Sequence, residues 1–300
     1  MPIVLSENFR ALFYAPFYAA YATGAFKKAG VEVVLEPSPS PADAARALRA
    51  GEVDVMWGGP LRVMITHDEE PGADLKCFCD VVARDPFFII GARPRPDFRL
   101  PDLAGLRFAS VSEVPTPWIC LQEDIRQGGL DPARLDRLTT GSMADNAAAL
   151  RAGTLDAIQV FQPHAEQLVA AGAGHVWHAA ANRGLTAYTT LVTRHAVLEK
   201  RADELLAMTR GLAATLTWFA AAPAPEIVKA VGGFFPDVTP DIFAACIDRY
   251  RALKLWATDP VIRRAGYDRL HTAMRSAGAL SKDIPFETCV DTKLATKAIS

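Results

Sequence analysis

"SPADAARALRAGEVD" (Ser40–Asp54) and "SMADNAAALRAGTLD" (Ser142–Asp156) are near-copies of one phrase. Aligned without gaps, Ser, Ala, Asp, Ala, Ala, Leu, Arg, Ala, Gly and the closing Asp all match. The chemistry is that of a helix-to-strand junction. Ser40 and Ser142 suit a helix N-cap, with Asp43 and Asp145 three residues on in a capping-box position. An Ala-rich run with a single Leu makes a slim helical face that can lie close on a sheet. Gly51 and Gly153 then supply the left-handed residue that ends the helix. Each copy runs into a short apolar strand, "VDVMW" and "LDAIQVF". Cap, helix stop and strand start agree in register, so the repeat predicts two related α/β lobes.

The rest of the chain extends that pattern. Strands are expected at Ile3–Ser6, Val31–Glu36, Val53–Trp57, Leu75–Val82, Phe87–Gly91, Arg107–Val111, Leu135–Thr139, Ala157–Phe161 and His175–Ala179. Helices fall between them, among them Tyr14–Lys28, Pro41–Ala50, Trp118–Gln127 and Met143–Ala152. Such alternation argues for mostly parallel sheets covered by helices. From Ala196 onward the pattern is helical.

Composition narrows the partners. Three hundred residues with half of them hydrophobic can bury a substantial core. A net charge of −2 carries no electrostatic footprint for nucleic acid or an anionic membrane. Five cysteines without regular spacing do not form a disulfide framework. The longest apolar helical stretch, Gly211–Ala222, stops at Pro223 and Pro225 and is too short to span a bilayer. The start, "MPIVLSENFRALFYAPFYAAYATGAF", has no basic segment before an apolar run, and Pro16 interrupts it. It reads as cytoplasmic as written, or extracytoplasmic if a leader has been removed.

In an open α/β sheet, ligands bind beyond the carboxyl ends of the strands. The first copy of the repeat runs there into Trp57, Gly58, Gly59 and Pro60, where two glycines admit close backbone approach and the proline opens a helix whose dipole favours an anion. The second runs into Phe161, Gln162 and Pro163. The two loops are expected to oppose one another.

"LFYAPFYAAYATGAFKKAGVEV" (Leu12–Val33), "ALRAGEVDVMWGGP" (Ala47–Pro60), "GYDRLHTAMRSAGAL" (Gly266–Leu280) and "CVDTKLA" (Cys289–Ala295) together resemble one family along nearly the whole chain. It is the branch of bilobal solute-binding proteins that includes nitrate, alkanesulfonate and thiamine-pyrimidine binders of ABC importers, together with the eukaryotic thiamine-pyrimidine synthase. The resemblance implies an α/β fold of two Rossmann-like lobes joined by two crossover strands. Lobe one would hold residues 1–92 and 187–300, with the C-terminal helices packed on it, and lobe two residues 93–186. "PFFIIGARP" (Pro86–Pro94) and "LTAYTTLVT" (Leu185–Thr193) are the expected crossovers.

The same resemblance implies capture of a small organic molecule by hinge closure, delivery to the membrane subunits of an importer, and a monomer without cofactor or metal. By position the cleft would take Phe9, Arg10, Tyr14, Trp57, Gly58 and Gly59 from lobe one. Lobe two would supply Ser112, Thr116 and Trp118 of "SEVPTPW" with Phe161 and Gln162, and Tyr188 and Thr189 would lie on the return crossover. Aromatic walls with few polar groups suit a planar or heteroaromatic ligand. Arg10 is the residue expected to fork onto an anionic group.

Enzymatic readings stand beside this one, as does a cytoplasmic ligand sensor. The synthase carries a lysine and a histidine four and eight residues after the Asp of the repeat, where this chain has Gly58 and Arg62. Its cysteine-rich segment corresponds to "LTAYTTLVT", which has no cysteine. Some relatives, such as aromatic sulfinate desulfinases, use a cleft cysteine as nucleophile. Cys120, near a helix N-terminus, is the candidate here, with His164 as a helper expected from the opposite lobe. His175 and His178 read as strand residues rather than a metal pair, and Trp218, Trp256 and Tyr267 as packing residues.

Overall fold

A computed structural model describes residues 1–300 and contains two five-stranded sheets. The strands are β1 (Ile3–Ser6), β2 (Val33–Glu36), β3 (Val55–Gly58), β4 (Leu75–Val82), β5 (Phe88–Gly91), β6 (Phe108–Ala109), β7 (Arg137–Leu138), β8 (Ala157–Val160), β9 (His175–Ala179) and β10 (Thr189–Arg194). The first sheet has the order β2-β1-β3-β10-β4 and the second β7-β6-β8-β5-β9. The two orders correspond strand for strand. In each, a parallel trio is followed by one reversed strand, β10 in the first and β5 in the second, which pairs antiparallel with both neighbours.

Those reversed strands are the crossovers, and each belongs to the lobe it enters. Phe88–Gly91, placed with lobe one by the sequence reading, pairs instead with β8 and β9 of lobe two. The chain therefore leaves the first sheet after Val82, ahead of the expected boundary at residue 92, and rejoins it at Thr189.

The repeated phrase does the same work in both lobes. Its helices are α3 (Pro41–Ala50) and α6 (Met143–Arg151). Ser40 Oγ accepts from Asp43 N at 3.1 Å, and Ser142 Oγ from Asp145 N at 3.1 Å. Gly51 and Gly153 have φ of 77° and 73°, left-handed values that cost other residues about 1–2 kcal/mol. The closing aspartates carry a further function. Asp54 Oδ2 accepts from Val4 N at 2.9 Å while Asp54 N donates to Val4 O at 3.0 Å. Asp156 Oδ2 accepts from Arg107 N at 2.9 Å, and Asp156 N donates to Arg107 O at 2.9 Å. Each Asp thus clamps the start of the neighbouring strand, β1 or β6. An arginine lies on each carboxylate, Arg201 at 2.9 Å on Asp54 and Arg107 at 2.7 Å on Asp156.

The remaining helices are α1 (Ala15–Ala22), α2 (Ala25–Lys28), α4 (Pro60–Glu69), α5 (Thr116–Gln127), α7 (His164–Ala170), α8 (His195–Lys200), α9 (Ala202–Ala221), α10 (Ala224–Val231), α11 (Pro240–Ala252), α12 (Arg264–Ser276), α13 (Phe286–Cys289) and α14 (Lys293–Ile299). The single helix expected over Tyr14–Lys28 is two, because Gly24 adopts φ 70° and breaks the ladder between α1 and α2. The C-terminal helices pack on lobe one, with α9 against α1, α2 and α14. Two of them also reach lobe two, α11 meeting α7 and α12 meeting α5. Tyr250 on α11 accepts from Gln162 N at 3.1 Å and donates to Pro86 O at 3.1 Å. Arg249 Nε lies 2.5 Å from Glu166. A single apolar cluster runs from β1 and α1 through Phe87, Phe161 and Tyr188 into lobe two, so the lobes share a core at the crossovers.

Candidate functional site

Between the lobes is a cavity of about 250 Å³. The β1 loop brings Asn8, Phe9 and Tyr14 to it, the end of β3 and the turn after it bring Gly58 and Gly59, and α4 contributes Leu61 and Arg62. Lobe two supplies Glu113, Val114, Pro115 and Thr116, and the return crossover Tyr188 and Thr189. Seven expected residues therefore meet here: Phe9, Tyr14, Gly58, Gly59, Thr116, Tyr188 and Thr189.

Local chemistry holds this wall in place. Tyr14 O–H is approached by Asn8 Nδ2 at 3.1 Å, while burial pushes the phenol above its ordinary range and keeps it protonated. Phe9 packs edge-on against Tyr14, with ring centroids 5.2 Å apart. Gly59 lies so close to the return crossover that a Cβ would sit 3.1 Å from Tyr188 O. That approach brings the α4 N-terminus to the cavity, joined by Ser40–Ala42 of α3 and Pro115–Thr116 of α5. Three helix N-termini thus converge, each carrying partial positive charge.

The other expected residues are engaged elsewhere. Arg10 is held by Glu7, its Nε and Nη2 each 3.1 Å from a carboxylate oxygen, and Tyr18 donates to the same carboxylate at 2.6 Å. Glu7 is buried, so Arg10 neutralises an internal carboxylate instead of awaiting a ligand, and the Glu7 bond raises the guanidinium pKa further. Trp57 is fully buried and stacks on Phe17 at 4.9 Å, since the pleat turns it inward. Phe161 packs among Phe13 and Phe87 at 5.3 and 5.2 Å, forming core between the lobes. Gln162 is wholly buried and accepts from Glu166 N at 2.8 Å, which braces α7. Ser112 donates to Gly141 O at 3.0 Å, and Trp118 lies 3.9 Å beneath the Arg137 guanidinium. The two loops after the repeat are therefore not equivalent: only the first opens into the cavity.

Arg62, eight residues beyond Asp54, is the cation that borders the cavity. Its Nε is shielded from solvent and has no hydrogen-bond partner, and its guanidinium makes no ion pair. One turn into α4, it lies on the face shared with Gly59, a helical spacing readable in the sequence. Glu113 faces it from lobe two, but its Oε1 accepts from Met143 N at 2.7 Å and caps α6. Cys120 lies outside the cavity, 2 % exposed, and burial pushes its thiol up to about 12. A thiol held there stays protonated at neutral pH.

The sequence profile of the NMT1-like family matches residues 9–232. YtlA of Bacillus subtilis, which carries a provisional binding-protein name, is 24 % identical over 300 residues, covering 99 % of this chain and 90 % of that one. Among solved structures, the periplasmic aliphatic sulphonate binding protein SsuA from Escherichia coli superposes with a TM-score of 0.77 at 15 % identity, over 95 % of this chain and 96 % of that one. The desulfurization enzyme DszB does so with a TM-score of 0.70 at 12 % identity, over 99 % of both chains. The fold is thus the bilobal one of periplasmic binding proteins, and an enzyme shares it.

Proposed function

The chain belongs to the NMT1-like family, and from that premise we propose that it is a solute-binding protein that captures a small anionic organic molecule between its lobes for an ABC importer. The observation that carries the reading is Arg62, a cleft arginine with no protein partner, beside three converging helix N-termini. A carboxylate, sulfonate or phosphate can take two parallel hydrogen bonds from such a fork. Phe9, Tyr14 and Tyr188 supply aromatic surface for the rest of the ligand, and Asn8, Thr116 and Thr189 supply polar contacts. Residues from both lobes line one cavity, so a bound molecule bridges them and favours the closed arrangement. The name of SsuA, a sulphonate binder on the same fold, agrees with an anionic ligand. A cysteine-based reaction gains no support, since Cys120 lies outside the cavity.

Native mass spectrometry of freshly purified protein tests this reading. A retained small molecule with an acidic group supports it, and Arg62→Ala is then expected to weaken binding by roughly 2–5 kcal/mol. A neutral or cationic ligand, or an unchanged affinity in the variant, removes Arg62 from the site.

A further inference from the structure

On the outer side of lobe one, a groove of about 830 Å³ runs between α2, α9 and α10. Its lining is rich in alanine (Ala22, Ala25, Ala29, Ala214 and Ala230), whose short side chains leave the hollow open, while Gly211 lets α9 pack closely on α2 at Ala25. Trp218 forms one wall, its Nε1 donating to Glu226 at 3.1 Å. Lys28, Arg210 and Lys229 stand around the groove, one from each helix, all exposed and none in an ion pair. Glu226 is the only acidic residue on its lining.

We propose that this groove docks an acidic amphipathic helix of a partner protein. Charge complementarity identifies the occupant: three free cations surround a hollow with an apolar floor, matching a helix with one apolar stripe and flanking carboxylates. The concave shape favours an inserted helix over the flat surface of a bilayer. Every lining residue comes from lobe one, so hinge closure leaves the groove unaltered. Docking there recruits the protein to a partner without reporting whether the cleft is filled.

The probe is a short fluorescein-labelled helical peptide of leucine and glutamate with leucines on one face, titrated against the intact protein by anisotropy. Saturable binding is expected, weakening as salt screens the rim. The combined variant Lys28→Glu, Arg210→Glu, Lys229→Glu should lose more than about tenfold in affinity, since three exposed attractions become repulsions. Its melting temperature should stay near the parent's, because all three side chains are exposed. Trp218→Phe should abolish the peptide-induced change in tryptophan emission. Arg62→Ala should bind the peptide as well as the parent, which separates this surface from the cleft. No binding, equal binding of a leucine–lysine peptide, or indifference to charge reversal would overturn the proposal. So would binding to phosphatidylglycerol vesicles without binding to the peptide.

Discussion

Replacing Arg183 by methionine should destabilise the protein far more than removal of an ordinary surface arginine. Arg183 lies between β9 and β10, in the return crossover. Its Nη1 donates to Asp85 of the outgoing crossover at 3.0 Å, and its Nε to Asp124 of α5 at 2.8 Å, with Nη2 on the same carboxylate. Side-chain exposures are 9 % for Arg183, 0 % for Asp85 and 11 % for Asp124. One guanidinium therefore ties both crossovers to lobe two away from water. Methionine keeps most of the apolar stem but leaves two carboxylates uncompensated, which costs about 3–5 kcal/mol for a buried pair. Domains of this kind are stable by only about 5–15 kcal/mol. The deficit should also depend on pH. Burial already pushes the Asp85 carboxyl up, and Arg183 pulls it back; without Arg183 it rises further. The folded variant then holds a proton more tightly than the unfolded chain, so its stability increases as pH falls from above the folded value. The gain approaches about 1.4 kcal/mol per pH unit until the unfolded carboxyl also protonates. Adding Asp85→Asn should recover part of the loss at neutral pH. Urea unfolding of the parent and both variants at neutral and mildly acidic pH measures all of this. A deficit below about 1 kcal/mol, typical of an exposed pair, or one indifferent to pH, would refute the reasoning.

Three further outcomes are expected. Arg107 holds the Asp156 carboxyl down to about 2, so its contribution is full above the unfolded carboxyl range and lost as pH falls toward that value. Because the Asp156 side chain is 35 % exposed, the stabilisation is only about 1 kcal/mol, and Asp156→Asn should flatten acid unfolding between those limits. Ser142→Ala removes the cap on α6 and should cost about 1 kcal/mol in urea unfolding, matched by Ser40→Ala on α3. Arg10→Ala should leave ligand affinity unchanged by calorimetry, yet cost about 1–2 kcal/mol of stability by stripping the buried Glu7 of its charged partner.

The architecture was legible because it is written in local rules. Serine caps, glycine stops and the strand starts after them mark two lobes, and the structure adds the reason for the closing aspartates, which fasten β1 and β6. Side-chain destinations were less legible. Trp57 and Gly58 are adjacent on one strand, yet only Gly58 borders the cavity, because alternation along β3 sends the tryptophan inward. The sequence alone points to Arg10 for the anion and passes over Arg62, which borders the cavity instead. What separates them is Glu7, whose burial becomes visible only when the β1 loop folds back toward Tyr18. Phe161 and Gln162 mirror the first loop in type, but Tyr250 of α11 takes the Gln162 N–H and the loop becomes a brace. That partner lies 88 residues away, beyond any local pattern. The crossover boundary was missed for a related reason, since membership of a sheet depends on pairing and not on hydropathy.

The most direct test of the central claim is a crystal structure of the protein with the small molecule it retains through purification. The account predicts density between Phe9, Tyr188 and Thr116, with an anionic group within hydrogen-bonding distance of the Arg62 guanidinium. A ligand lying on Arg10, or beside Cys120 with Arg62 untouched, would contradict it.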